Sequence, residues 1–398
     1  MTAIRAAYIV SPLRTPVGKA PRGMFRRVRP DDLLVHCIRG VLAANPGLDP
    51  ARIEDLVVGC AMPEGEQGLN VARMAALVAG LPDSVPGMTV NRFCSSGLQA
   101  IAIAADRVRT GDADLVLAGG VESMSLVPMG GHHPAYNAAI FARREDYGIA
   151  YGMGITGEKV AEQFQVSREE QDAWAAESHA RALAAIASGE FAAEILPYEI
   201  TRARPGGADG GCAIERRTVD TDEGPRPGST PEVLAKLRPV FAAKGSVTAG
   251  NSSQMSDGAA LCIVASEAAV KEHGLAPVAR LLSFRVAGVP PEIMGIGPKE
   301  AVPKALAAAG LALKDMDWIE LNEAFAAQTI AVVRALGLDP ATTNPLGGAI
   351  ALGHPLGCTG AKLTATALHG LARRQGRYAL VTMCIGTGMG AAGIFERL

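Results

Sequence analysis

TVNRFCSSGLQAIAIAADRV, Thr89 to Val108, is the stretch from which the remaining residues are best read. Met88-Thr89-Val90 has the look of the end of a short buried strand. After Cys94, the residues Leu98, Ile101, Ala102, Ala105 and Val108 fall at helical spacing, which predicts a helix to about Arg109 that Gly111 stops. Cys94 then occupies a strand-to-helix turn, the setting that lifts a side chain clear of a sheet. A helix start also offers unpaired N–H groups and the positive end of the helix dipole, both of which favour a thiolate. Free cysteines are more often small buried hydrophobes. The two serines and a glycine that follow would be an odd lining for a core position, so Cys94 stands as a candidate nucleophile beside that plainer role.

Outward from this turn the pattern repeats. Apolar runs at Ala6–Val10, Ile53–Gly59 and Leu115–Gly119 predict strands, and Asp31–Ala44 and Asn70–Ala79 predict helices between them. Such alternation indicates a parallel or mixed sheet covered on both faces. LAANPGLDPARIEDLVV (Leu42–Val58) recurs as LAAAGLALKDMDWIEL (Leu306–Leu321), and the strand at Leu115 has a counterpart at Leu380 after a helix from Thr359 to about Arg373. Asp257-Gly258-Ala259-Ala260 resembles Met389-Gly390-Ala391-Ala392 at about half that offset. The reading is two copies of one α/β unit, the first interrupted between Ser123 and Ser246, with a join near Gly274 to Pro277. The interruption holds a helical pattern (Glu169–Ser188) and a Gly/Pro/Arg-rich run (Arg202–Gly228).

Composition narrows the class. The 398 residues suggest two or three domains, and 48% hydrophobic with 4% aromatic residues implies a core of Ala, Val, Leu and Ile. A net charge of -2 argues against general binding to nucleic acid or to a membrane surface. No apolar run is long enough to span a bilayer. The seven cysteines include no C-x-x-C pair, so neither a paired-cysteine metal site nor a disulfide framework is expected. The N-terminus reads as a first strand, not a signal peptide, and a reducing cytoplasm is the expected compartment.

The second copy carries further candidates. NPLGGAIALGHPLGCTGAK (Asn344–Lys362) presents His354 from a glycine-rich loop, and against a nucleophilic cysteine that histidine is a candidate base. YALVTMCIGTGMGAAGIF (Tyr378–Phe395) reads as a strand with Cys384, a glycine turn and a second strand. Its G-x-G-x-x-G is not a dinucleotide fingerprint, because no helix follows. Asn322-Glu323, after the strand Trp318–Leu321, suits a helix cap or a site, with capping the plainer assignment.

Together CSSGLQA at Cys94, NEAFA at Asn322, GGAIALGHPLGCTGAK around His354 and CIGTGMG at Cys384 resemble the signatures of the thiolases. VTAGNSSQMSDGAA (Val247–Ala260) resembles a fifth. The resemblance covers the whole chain and implies two βαβαβαββ halves in a layered α/β/α/β/α core. It divides the chain into an N-terminal half (1–123 with 247–275), an inserted loop domain (124–246) and a C-terminal half (276–398). It implies an acyltransferase that cleaves 3-ketoacyl-CoA with CoA, reversible as a condensation. Cys94 would take the acyl group, His354 would activate it, and Cys384 would be acid and base at the α-carbon. Asn322, with a water and His354, would form one oxyanion hole, and the N–H groups of Cys94 and Gly386 the other. Coenzyme A is implied as co-substrate with no permanently bound cofactor, touching Arg226 at the adenine side, Ala249 and Ser253 along the pantetheine, and Met153 and Phe325. Val233 stands where some members have a serine. At least a homodimer, or a homotetramer, is implied. A glycine at position 152, where acetoacetyl-CoA-specific members have histidine, predicts room for longer acyl chains. A decarboxylating or condensing synthase on the same fold is disfavoured by Cys384 and the NEAF segment. A non-catalytic lipid carrier is disfavoured by Cys94, His354, Asn322 and Cys384 occurring together.

Overall fold

The computed structural model describes residues 4–206 and 211–398. In the first half, β1 (Tyr8–Arg14), the short β2 (Gly18–Lys19), α1 (Pro30–Ala43), β3 (Asp55–Gly59), α2 (Val71–Ala79), β4 (Gly87–Val90), α3 (Ser96–Thr110) and β5 (Leu115–Ser123) follow in order. The chain then leaves the sheet for α4 (Met153–Gln163), α5 (Arg168–Ala187), a hairpin of β6 (Tyr198–Pro205) and β7 (Cys212–Val219), and α6 (Pro231–Leu234). It returns as β8 (Ser256–Ala265) and α7 (Glu267–Glu272). The second half comprises β9 (Pro277–Gly288), α8 (Gly297–Ala309), β10 (Trp318–Leu321), α9 (Ala326–Leu336), α10 (Ala349–Leu352), α11 (Leu356–Arg374), β11 (Tyr378–Ile385) and β12 (Met389–Arg397).

Strand order makes the repeat visible. The sheet runs β10-β11-β12-β9-β1-β8-β5-β3-β4, with β2 paired to β8. Reading outward from the central β9–β1 pair, each half gives its first strand (β9, β1), its last (β12, β8), the strand after its central helix (β11, β5) and then β10 or β3, with the same parallel and antiparallel senses. One position differs. Where the first half has β4 beside β3, the second has only an isolated bridge from Thr343 to Ile319.

Period-two alternation on the strands produces the layers. On β5, Val116 and Ala118 face the core around α3 and α11, while Leu115 and Leu117 face that of α1 and α2. On β12, Ala391 and Phe395 face α3 and α11, while Ala392 and Ile394 face α8 and α9. Helices α3 and α11 are thus buried between the two halves of the sheet, with the other helices outside. This is the five-layer α/β/α/β/α arrangement. The site grows from the starts of these two central helices.

Two expectations shift. The strand expected to end at Val10 continues to Arg14 through a register slip between Val10 and Leu13. The Gly/Pro/Arg-rich run overlaps a hairpin that begins before it, Tyr198 pairing Val219 through Pro205 pairing Cys212. Among the described residues no helix is long and apolar enough to cross a membrane.

Candidate active site

Cys94 sits in a single 3-10 turn, Phe93–Ser95, between β4 and α3. Phe93 adopts φ 42°, a left-handed conformation that costs a non-glycine residue energy and needs support. Ser96 supplies it: the Arg92 N–H donates to Ser96 Oγ (2.9 Å) and the Ser96 hydroxyl donates to the Phe93 carbonyl (2.7 Å). Gly97 is needed because α11 crosses here. A Cβ on it would lie 2.8 Å from the Gly357 carbonyl oxygen and 2.9 Å from the Ala361 nitrogen. The small residues after Cys94 therefore serve both the turn and the helix crossing.

His354 occupies the three-residue link between α10 and α11, after Gly353 at φ 88°. Its Nδ1 is 2.6 Å from Thr359 Oγ1, and that hydroxyl in turn lies 3.0 Å from the Pro355 carbonyl. With the hydroxyl proton directed to the carbonyl, Thr359 accepts from Nδ1–H, which leaves Nε2 as the unprotonated, basic nitrogen. Asn322 Nδ2 stands 3.3 Å from Nε2 and fits as its donor. Burial, reinforced by the Lys362 ammonium, pushes His354 down to about 3, so the ring is neutral.

Cys384, on β11, is fully buried beside Cys94, and burial together with that neighbour pushes its thiol well up. Gly386 follows at the β11–β12 turn. Its N–H and the N–H of Cys94 itself both act on the Cys94 sulfur and favour the anion, but burial outweighs them and pushes the thiol up to about 11. The thiolate expected from a helix start is therefore not the resting state: desolvation of a buried thiol wins over the helix dipole.

A cleft of about 570 Å³ opens over this group, walled by Cys94 and His354. Arg226, Ala249, Ser253, Met153 and Phe325 line it as well, whereas Val233 does not. Cys384 lies behind the wall in one apolar cluster with Met153, Phe325 and Met294. Asn322 is buried and is not a helix cap. Gln328 Oε1 accepts the Ala324 N–H (3.1 Å) in that role, while Glu323 accepts from Trp174 Nε1 (2.8 Å) and Ser178 Oγ (2.7 Å) and ties α5 to the second half.

Several residues escaped the reading of the sequence. Lys19 lines the cleft beside Arg226, with burial and that arginine lowering its pKa. Phe241 packs edge-on to Phe325 at 6.3 Å, and Met294 joins the same wall. Glu122 is buried and accepts from the N–H groups of Ala61 (2.7 Å) and Gly357 (2.8 Å), pinning the start of α11. Thr359 alone carried a signal, five residues after His354 in the glycine-rich stretch.

A cysteine at a supported strand-to-helix turn, a neutral histidine and a second buried cysteine, held where two repeated α/β halves meet, define a class of acyl-transfer proteins. The sequence matches the family described as "Thiolase, N-terminal domain" over residues 7–268 and "Thiolase, C-terminal domain" over residues 275–397. The chain belongs to the thiolase family. It is 52% identical over 394 residues to the 3-ketoacyl-CoA thiolase of Bacillus subtilis, covering 99% of this chain and 100% of that one. Among solved structures, Bacillus anthracis acetyl-CoA acetyltransferase superposes with a TM-score of 0.89 at 38% identity, covering 100% of both chains. The dimeric peroxisomal thiolase of Saccharomyces cerevisiae superposes with a TM-score of 0.87 at 40% identity, covering 99% of this chain and 98% of that one.

Proposed function

We propose that the chain is a 3-ketoacyl-CoA thiolase: an acyltransferase that cleaves 3-ketoacyl-CoA with CoA into acetyl-CoA and a shortened acyl-CoA, as in fatty acid β-oxidation. The observation that carries this reading is the meeting of Cys94, His354 and Cys384 beside one acyl-sized cleft. In the first step Cys94 gives its proton to His354 Nε2 and its sulfur attacks the C3 ketone. The new alkoxide draws on the N–H groups of Cys94 and Gly386. The C2–C3 bond then breaks, leaving the acyl group on Cys94, and its electrons pass to the thioester enolate. That enolate's oxygen is served by the Asn322–His354 pair, through a water held on Asn322. Cys384 protonates C2 and acetyl-CoA departs. The thiol of coenzyme A then gives its proton to the Cys384 thiolate, its sulfur attacks the acyl-Cys94 thioester, and Cys94 leaves as thiol with the proton held on His354.

Coenzyme A is the co-substrate in this reading, with Arg226 at its adenine side and Lys19 beside that arginine, Ala249 and Ser253 along the pantetheine, and Met153 and Phe325 at the reacting end. Both thiols must stay reduced, which suits a cytoplasmic enzyme. The homodimer reading is supported by β4, a sheet edge beside exposed Met74, Leu77 and Val78 on α2. An apolar edge of this kind invites pairing with a second copy of the chain.

Position 152 bears on the acyl chain. A Cβ at Gly152 would meet nothing within 4 Å, which supports an open position there. Each methylene buried there would add about 0.8 kcal/mol. The expected result is a kcat/KM for thiolysis that rises from 3-ketobutyryl-CoA to 3-ketohexanoyl- or 3-ketooctanoyl-CoA, and a Gly152→His variant that reverses the order. A wild-type profile that peaks at four carbons and collapses by six would replace this reading with an acetoacetyl-CoA-specific thiolase.

A further inference from the structure

The chain returns from the inserted segment to β8 through Gln254, a residue of the cleft wall to which the mechanism above gives no role. Its side-chain Nε2 donates to three carbonyls: Gly224 (3.0 Å), Ile350 (3.0 Å) and Ala351 (3.1 Å). Ile350 and Ala351 belong to the last turn of α10, where carbonyls have no partner within the helix. The chain runs from them through Leu352 and Gly353 directly into His354. The main chain of Gln254 grips the same place. Its carbonyl accepts the His354 N–H (3.1 Å) and the Ser256 hydroxyl (2.7 Å), and Ser256 Oγ also accepts from the His354 N–H (3.1 Å). Three carbonyls around one NH₂ fix the amide orientation and leave Oε1 buried without a hydrogen-bond partner among the described residues.

The third carbonyl belongs to the other side of the cleft. Gly224 lies two residues before Arg226, against Ala351, where any side chain would collide with the Ala351 carbonyl. Arg226 is itself fixed by its N–H donating to His179 Nδ1 (3.2 Å). One amide therefore joins the loop that carries a cleft arginine to the four residues that lead into the imidazole.

We propose that Gln254 is a positioning residue that transmits binding of the nucleotide end of coenzyme A, at the loop carrying Arg226, to the register of His354. This rests on reading His354 as the base and Arg226 as a coenzyme A contact. Moving a reacting group by about 1 Å can cost on the order of 10²-fold in rate. Contacts remote from the reacting atoms are also what make a full substrate faster than a truncated one.

The test compares acetyl transfer to Cys94 from acetyl-CoA and from acetyl-pantetheine, which lacks the nucleotide. It uses the intact enzyme and Gln254→Met, which keeps the length of the side chain without its donor. Wild type should acetylate faster at saturation with acetyl-CoA. In Gln254→Met that advantage should shrink by about tenfold or more. Gln254→Asn, which keeps the amide but falls short of the carbonyls, should behave alike and stands in if the methionine variant does not fold. Both rates falling by the same factor, with their ratio unchanged, would make Gln254 a structural tie and overturn the proposal. No advantage for acetyl-CoA in wild type would instead overturn the Arg226 reading, and the transmission with it. Loss of acetylation with both substrates in His354→Ala checks the base independently of Gln254.

Discussion

At neutral pH the two central groups are both uncharged: Cys94 is pushed up to about 11 and His354 down to about 3 by burial. A resting thiolate–imidazolium pair is thereby disfavoured, and proton transfer must be driven by the substrate oxygen arriving at the N–H groups of Cys94 and Gly386. Cys384 is likewise pushed well up by burial and by Cys94 next to it, which suits a proton carrier that stays protonated until an enolate forms. Cys384→Ser should accordingly acetylate at Cys94 but exchange the α-protons of acetyl-CoA about 10²–10⁴-fold more slowly. Proton NMR in deuterated buffer reads that exchange directly, and a normal rate in the variant would remove Cys384 from the role. The chemistry-bearing residues could be read in the sequence because each lies in a short, compositionally odd run. Their ionisation could not, since it depends on desolvation by segments far along the chain.

Among the elements, the contact of α3 with α11 sets the distance between Cys94 and His354, because each residue lies within a turn of its helix start. Gly97 makes that contact possible by letting the Gly357 carbonyl and the Ala361 nitrogen approach. Gly97→Ala should cost about 1–3 kcal/mol of stability through overpacking. It should also lower kcat more than it raises KM, since the substrate-binding walls lie elsewhere. A melting curve and a rate profile check both effects, and an unchanged pair would mean the helices can separate without cost. Helix α3 was legible from its one-sided apolar spacing. The β6–β7 hairpin was not, because β7 is exposed along nearly its whole length and carries no buried face to give alternation. Its charged pairs, such as Arg204 with Glu215 at 2.8 Å, are exposed as well.

For the whole molecule, the duplicated architecture was legible because the repeat spans more than a hundred residues. The cleft was legible in part: Arg226, Ala249, Ser253, Met153 and Phe325 line it as expected, whereas Lys19, Phe241 and Met294 reach it from widely separated places. The same burial that builds the site couples folding to acid. His354 is lowered to about 3 and His179 to about 4, the latter by burial and then by Arg226 and Lys19. Both rings are neutral when folded and take up protons when unfolded below about pH 6.5, so their contribution is present above that pH and is lost as pH falls towards the folded values. In His179→Asn, whose side-chain oxygen can still accept the Arg226 N–H, the slope of unfolding free energy between about pH 6 and 4 should diminish by roughly one proton. An unchanged slope would show that His179 titrates normally. The central claim, carbon–carbon cleavage onto Cys94, has a more direct test: mixing the enzyme with 3-ketooctanoyl-CoA in the absence of free CoA and weighing the peptide that contains Cys94. The account predicts a hexanoyl adduct on Cys94, formed with the release of one equivalent of acetyl-CoA and absent in Cys94→Ala. An intact 3-ketooctanoyl adduct, or a hexanoyl group on another residue, would contradict it.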